Sequence, residues 1–222
     1  MGETIRLNAD DGHALSAYHA APHGPRKGGV VVIQEVFGVN AHIRDVCDRL
    51  SEAGYEAIAP ALFDRVRGSV ELGYDEAGIE EGRALVGELG WDAPLKDVWA
   101  AVKRLDEGGR VGVVGFCWGG TVSFLAACRL NVACAVAYYG RQIVDFPDDT
   151  RKCPMVMHFG AEDPLIPLET VQKVRATNPH VPIFIYEGAG HGFNCDRRAD
   201  YRAEAAETAM NRTLAFFSQH LS

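Results

Sequence analysis

Apolar residues recur along this chain with two periods in turn, and the alternation predicts its elements. Thr4–Ala9 and His13–His19 flank the tight-turn triplet Asp10-Asp11-Gly12 and predict a hairpin. A loop bearing Pro and Gly follows over 22–29. Gly29-Val30-Val31-Val32-Ile33 is then uncharged and β-branched, the pattern of a strand covered on both faces. From Asn40 the period lengthens. Ile43, Val46, Cys47 and Leu50 repeat at helical spacing, with Arg44, Asp45, Asp48 and Arg49 opposite. Asn40 is a suitable N-cap and Gly54 a terminator. On this stripe His42 falls on the helix surface.

The two periods keep alternating. Strands are predicted at Tyr55–Ala59, Val111–Val114, Val132–Tyr138, Met155–Phe159 and Pro182–Tyr186. Helices are predicted at Asp75–Leu89, Pro94–Leu105, Gly119–Cys128 and Leu168–Ala176. A last helix carries Ala206, Met210, Thr213, Leu214 and Phe217 on one face. Strands alternating with helices predict an α/β fold, a mostly parallel central sheet flanked by helices, as one domain over 1–222. Ligands of such sheets sit beyond the carboxyl ends of the strands. His158, inside a strand, is read as a hydrogen-bonded core residue.

Composition narrows the partners. Thirty Asp and Glu against 22 Lys and Arg give a formal charge of −8. No basic field is left for nucleic acid. No run is apolar enough to cross a membrane, and Met1–Arg6 lacks a basic start leading into an apolar stretch. The six cysteines (Cys47, Cys117, Cys128, Cys134, Cys153 and Cys195) include no Cys-x-x-Cys pair. A reducing cytoplasm and free thiols are expected. No His or Cys pair has ligand spacing on one element, so neither a metal nor a cofactor is expected.

One cysteine stands in a special place. Gly115-Phe116-Cys117-Trp118-Gly119 joins a predicted strand to a predicted helix. This is the Gly-x-nucleophile-x-Gly elbow of α/β-hydrolases, with Cys117 as nucleophile. The small neighbours let strand and helix approach closely, and the helix N-terminus favours a thiolate. Downstream, Asp163 and His191 each stand just past a strand, giving the order nucleophile, acid, base. His191 is the expected base and Asp163 its orienting acid, with Glu162 the fallback. Phe37, Trp118 and Tyr139 are expected to form apolar walls.

Four runs together resemble the dienelactone hydrolase family, also called carboxymethylenebutenolidases. They are Gln34-Glu35-Val36-Phe37-Gly38-Val39-Asn40, Gly115-Phe116-Cys117-Trp118-Gly119-Gly120, Gly160-Ala161-Glu162-Asp163 and Gly188-Ala189-Gly190-His191-Gly192-Phe193. Tyr138-Tyr139-Gly140 adds to the likeness, which extends over nearly the whole chain. The resemblance implies an α/β-hydrolase fold and hydrolysis of a lactone or ester through a cysteine acyl-enzyme. It implies a triad of Cys117, Asp163 and His191, with Glu35 touching the resting thiol. It implies an oxyanion hole from the N–H groups of Val36 and Trp118. A small-molecule substrate and a monomer or small homo-oligomer are expected.

This chain departs from the family where a substrate carboxylate would be held. The family's arginine four residues past the histidine is replaced by Cys195. Arg83, Arg197 and Arg198 are the available substrate-binding substitutes. A weaker dependence on substrate charge is therefore expected. A second reading keeps the fold but not the chemistry: a binding or thiol-redox module in which Cys195 resolves an oxidised Cys117.

Overall fold

The computed structural model describes residues 2–221. The opening hairpin forms as its turn dictates, with β1 (Glu3–Asn8) antiparallel to β2 (Ala14–Ala20). The uncharged run becomes β3 (Gly28–Ile33), buried throughout. Asn40 then caps α1 (Ala41–Glu52) by accepting from the Ile43 N–H at 3.3 Å. Gly54 leads into β4 (Tyr55–Pro60).

Asp75 caps α2 (Glu76–Leu89), and α3 (Asp92–Asp106) carries Pro94 in its first turn, where a missing N–H costs nothing. The alternation continues with β5 (Val111–Phe116), α4 (Trp118–Arg129), β6 (Cys134–Tyr138), β7 (Met155–Gly160), α5 (Leu168–Thr177), β8 (Ile183–Tyr186) and α6 (Ala203–Leu221). Two short 3-10 turns, Leu62–Arg65 and Arg141–Asp145, have no clear signal in the sequence pattern.

The eight strands lie in the order β1-β2-β4-β3-β5-β6-β7-β8. β3 to β8 run parallel; β2 alone runs against them, pairing antiparallel with β4 and with β1. Neighbouring residues of one strand show the two-sided covering. A side chain at Gly28 would meet Leu221 of α6, and one at Gly29 would meet Leu105 of α3. This is the α/β-hydrolase architecture that the alternation and the sequence runs predict.

The topology also fixes where chemistry can occur. From β3 the chain crosses to β4 on one side, then returns to place β5 on the other. The connections leaving β3 and β5 therefore diverge and open a crevice at their carboxyl ends. Ile33 pairs with Gly115, so Glu35 and Cys117 each follow two residues later, at the same level.

One expectation fails here. His42 is fully buried, its ring edge-on to Phe116 with centroids 5.9 Å apart. The first turn of α1 packs on Phe116 at the end of β5, so the buried stripe widens by one position, and His42 joins it four residues before Val46. His158 behaves as expected. Its Nδ1 lies 2.8 Å from the Tyr186 hydroxyl, and its Nε2 lies 3.3 Å from Thr213 Oγ1.

Burial, with the Arg212 charge second, lowers the His158 pKa to about 3. The folded state thus keeps this ring neutral where the unfolded chain, near 6.5, takes up a proton. Its contribution is full above pH 6.5 and is lost as pH falls toward 3. We predict that the urea midpoint of the wild type drops between pH 6.5 and 4.5, with up to about 1.4 kcal/mol per pH unit coming from this group. His158→Gln should be less stable at neutral pH but flatter in that window. Parallel slopes for the two proteins would remove His158 from the account.

Candidate active site

The elbow is built by steric exclusion. A Cβ at Gly115 would run into the Gly119 carbonyl, and one at Gly119 would run into the carbonyls of Ile33 and Gln34. Only glycines let α4 start this close to β5 and β3. The chain reverses through Cys117 at φ 55°, ψ −119°, an uncommon conformation for a residue with a side chain. Holding it there costs about 1–3 kcal/mol, which the surrounding packing must supply. The thiol is thereby lifted to the first turn of α4, beside its positive dipole end.

Asp163 follows β7 and is fixed before it meets any other group. Its Oδ1 accepts from the N–H groups of Leu165 at 2.8 Å and Ile166 at 3.1 Å. Its Oδ2 accepts from His191 Nδ1 at 2.7 Å. The loops after β7 and β8 can touch because Gly160 has no side chain to strike the Ala189 carbonyl. Glu162 is exposed and faces away, so the fallback acid drops out.

His191 Nε2 lies 3.1 Å from Cys117 Sγ. Carboxylate, imidazole and thiol thus stand in one line, drawn from three strand ends and separated in sequence by 28 and 74 residues. Burial alone would lower the His191 pKa. The charge of a Cys117 thiolate and the hydrogen bond to Asp163 outweigh it and raise it to about 10. The direction is that of an imidazolium held between two anions. Such a line can hold a proton on the ring and later pass it on.

A cavity of about 290 Å³ opens over the thiol. Val36, Phe37, Cys117, Trp118, His191 and Arg198 form its inner part. Ile79, Arg83, Val86 and Gly87 of α2, with Arg141, Gln142 and Leu165, complete the wall. Val36 and Trp118, the expected oxyanion donors, both line the cavity. Trp118 stacks on Phe63 with centroids 5.8 Å apart.

The remaining expected site residues divide. Arg83 reaches the cavity from α2. Arg198 lines it too, with its guanidinium 5.7 Å from the ring centres of both Phe37 and Tyr74. Arg197 does not: it is exposed and paired with Asp45. Tyr139 is fully buried and forms no part of the cavity wall. It stands behind His191 with ring centroids 5.1 Å apart. Arg141, Ile79, Val86 and Leu165 were not anticipated, because α2 and the loops bring them to the mouth only through packing.

Arg198 explains why the lost arginine after the histidine misleads. The segment past His191 coils tightly, with Cys195 N–H donating to Gly192 O at 2.9 Å and Arg198 N–H to Cys195 O at 3.1 Å. Arg198 folds back over Gly192, where a Cβ would stand 2.7 Å from its Nη1. A guanidinium is thus restored beside His191 from a different place in the sequence. Its contacts with Glu35 Oε1 at 3.7 Å and Asp200 at 3.6 Å are longer than hydrogen bonds.

Glu35 departs from expectation. It is buried, and neither carboxylate oxygen has a hydrogen-bond partner among the described residues, so it does not bond the thiol. Cys195 is also misplaced for a resolving role. It is buried and donates to the Tyr74 hydroxyl at 3.3 Å, and burial, with the Glu35 charge second, pushes its thiol up to about 11. A thiol held protonated resolves a sulfenic acid poorly. Glu35, His42 and Cys195 come together from three elements, a grouping no local spacing could reveal.

Comparison with known proteins gives the family. The profile of the Dienelactone hydrolase family matches residues 15–221. A Synechocystis sp. protein provisionally named a carboxymethylenebutenolidase is 36% identical over 211 residues, covering 86% of each chain. The carboxymethylenebutenolidase of Pseudomonas knackmussii is 32% identical, over 98% of this chain and 97% of that one. The crystal structure of a Klebsiella pneumoniae protein provisionally named a dienelactone hydrolase superposes with a TM-score of 0.86 at 33% identity, covering 99% of this chain and all of the other. This chain belongs to the dienelactone hydrolase family and is a hydrolase of the dienelactone type.

Proposed function

We propose that this hydrolase opens a small lactone, or cleaves a carboxylic ester, through a thioester on Cys117. The observation that carries the reading is the unbroken line from Asp163 through His191 to Cys117, ending at the floor of a cavity. The thiolate attacks the acyl carbon, and the carbonyl oxygen takes up negative charge. The N–H groups of Val36 and Trp118 stabilise that charge. Collapse expels the alkoxide, which takes the proton from the His191 imidazolium. In a lactone the alkoxide stays tethered, so the ring opens. Neutral His191 then removes a proton from water, which attacks the thioester. The thiolate departs, the acid is released, and the imidazolium–thiolate pair is restored.

The substrate class follows from charge. Arg83, Arg141 and Arg198 all reach the cavity, while its other walls are largely apolar. Where the pocket excludes water a carboxylate requires a partner, and the planar guanidinium fork suits it. Arg198 has donors to offer, since its contacts with Glu35 and Asp200 are long. The favoured substrate is therefore acidic, which reverses the weaker charge dependence expected from the sequence. Glu35 acts from behind as the counter-charge that positions Arg198.

Three outcomes are expected. A stoichiometric thiol alkylator should label Cys117 ahead of the other five cysteines and abolish ester turnover. Peptide mapping that finds Cys117 blocked with activity intact would end the thioester route. Asp163→Asn should lower kcat by on the order of 10²- to 10⁴-fold with little change in KM, because the ring loses its orientation and the charge that stabilises its protonated form. A change confined to KM would argue against Asp163 as the orienting acid. Arg198→Ala should reduce kcat/KM for an acidic lactone by about 10- to 100-fold, the value of a charge-assisted hydrogen bond. It should change kcat/KM for the neutral methyl ester far less. Equal losses on both substrates would return the cavity to neutral esters.

A further inference from the structure

Behind the cavity lies a cluster in which only Glu35 has a part in the hydrolytic route, as the counter-charge of Arg198. Glu35 follows β3, His42 belongs to the first turn of α1, and Cys195 lies in the coil past His191. A ligand atom from each falls within 4.8 Å of the other two, and all three residues are buried. Neither oxygen of Glu35 and neither ring nitrogen of His42 has a hydrogen-bond partner among the described residues. Both residues are 0% exposed. Four polar atoms without a hydrogen bond at this depth, of which only Glu35 Oε1 has even a long contact with a charge, are costly unless something binds them.

We propose that Glu35, His42 and Cys195 form a site for a thiophilic divalent cation, with Zn²⁺ as the best match. The donor set argues for it. Thiolate, imidazole and carboxylate are the three side-chain donors that zinc accepts in tetrahedral sites. Bonds of about 2.0–2.3 Å place tetrahedral ligands about 3.5 Å apart, so a closure of at most about 1.3 Å suffices. Charge argues for it as well. The Cys195 thiol gives up its proton to solvent as the metal–sulfur bond forms, and thiolate plus carboxylate then neutralise the dication. The fourth position remains open, with the Tyr74 hydroxyl 3.3 Å from the sulfur on the same wall.

Occupancy would reach the cavity through one residue. Glu35 is the near counter-charge of Arg198, at 3.7 Å. A cation held by Glu35 cancels that charge and repels the guanidinium. Zinc therefore acts as an inhibitor bound behind the substrate rather than on Cys117. This effect on turnover rests on the hydrolytic reading above; the binding itself does not.

The test separates the two. Cys117→Ser removes the thiol in the cavity, so that metal cannot register there. Chelator-treated Cys117→Ser protein is titrated with Co²⁺, and with Zn²⁺ in competition with a chromophoric chelator. One metal per chain and a thiolate-to-cobalt charge-transfer band are expected. Adding Cys195→Ser should abolish the band and weaken zinc binding at least 100-fold. Adding His42→Gln should weaken binding similarly while the band persists at saturating cobalt. In the otherwise wild-type enzyme, Cys195→Ser should relieve the slowing of ester turnover by Zn²⁺. Cys195→Ser conserves volume and an acceptor-donor for Tyr74, so it carries the test by itself should His42→Gln fail to fold. A Cys117→Ser protein that binds no metal at stoichiometric concentration would overturn the site, as expected if only water bridges these groups. So would a cobalt band indifferent to Cys195→Ser. If Cys195-dependent binding occurs and turnover is unaffected, the site stands and its inhibitory role falls.

Discussion

The site depends on a single steric constraint, the near-contact of α4 with the ends of β3 and β5. Gly115 and Gly119 allow it, because a Cβ on either would occupy the space of a backbone carbonyl. With helix and strand this close, the one residue between them must turn sharply, and Cys117 takes the positive φ that the turn demands. The thiol is presented because the backbone has no other way through. The N-terminal end of α4 arrives with it, so the thiol and its electrostatic surroundings have one structural cause.

The partners are set by a different principle, satisfaction of buried polar groups. Asp163 is anchored by two backbone N–H groups before it accepts from His191, so the carboxylate has little freedom to turn. His191 in turn lies against Tyr139, whose buried ring fills the space behind it. Preorganisation of this kind lets a line of three side chains from separate loops hold hydrogen-bond lengths. The same rule makes the ground behind the cavity conspicuous. There Glu35 and His42 are buried with their hydrogen-bonding capacity unspent among the described residues.

Charge in the cavity is likewise a product of folding back. The tight coil past His191 brings Arg198 over Gly192 and against the rings of Phe37 and Tyr74. A guanidinium on aromatic faces, held near but not on a carboxylate, is restrained without being saturated. Arg197, one residue earlier, points outward and pairs with Asp45 on α1. Adjacent arginines thus have opposite fates, decided by the twist of a few residues of coil.

The sequence by itself determined what depends on local pattern. Period and turn chemistry marked every strand and α-helix, because a side chain's burial on a strand or helix follows its spacing. The glycine pattern around Cys117 and the strand-end positions of Asp163 and His191 were legible for the same reason, since a parallel sheet gathers its strand ends on one edge. What only the tertiary structure decided is whatever rests on packing between elements. His42 looked exposed because its helix stripe was read without the end of β5 on which α1 packs. Tyr139 was taken for a wall, yet it lies behind the histidine. Arg198, not a residue four past His191, supplies the guanidinium, because coil geometry has no period from which to read it. The grouping of Glu35, His42 and Cys195 joins residues up to 160 positions apart, roughly the reach that only a folded sheet can span. Spacing in sequence reports which face of one element a residue occupies; which faces meet is settled only when the elements pack.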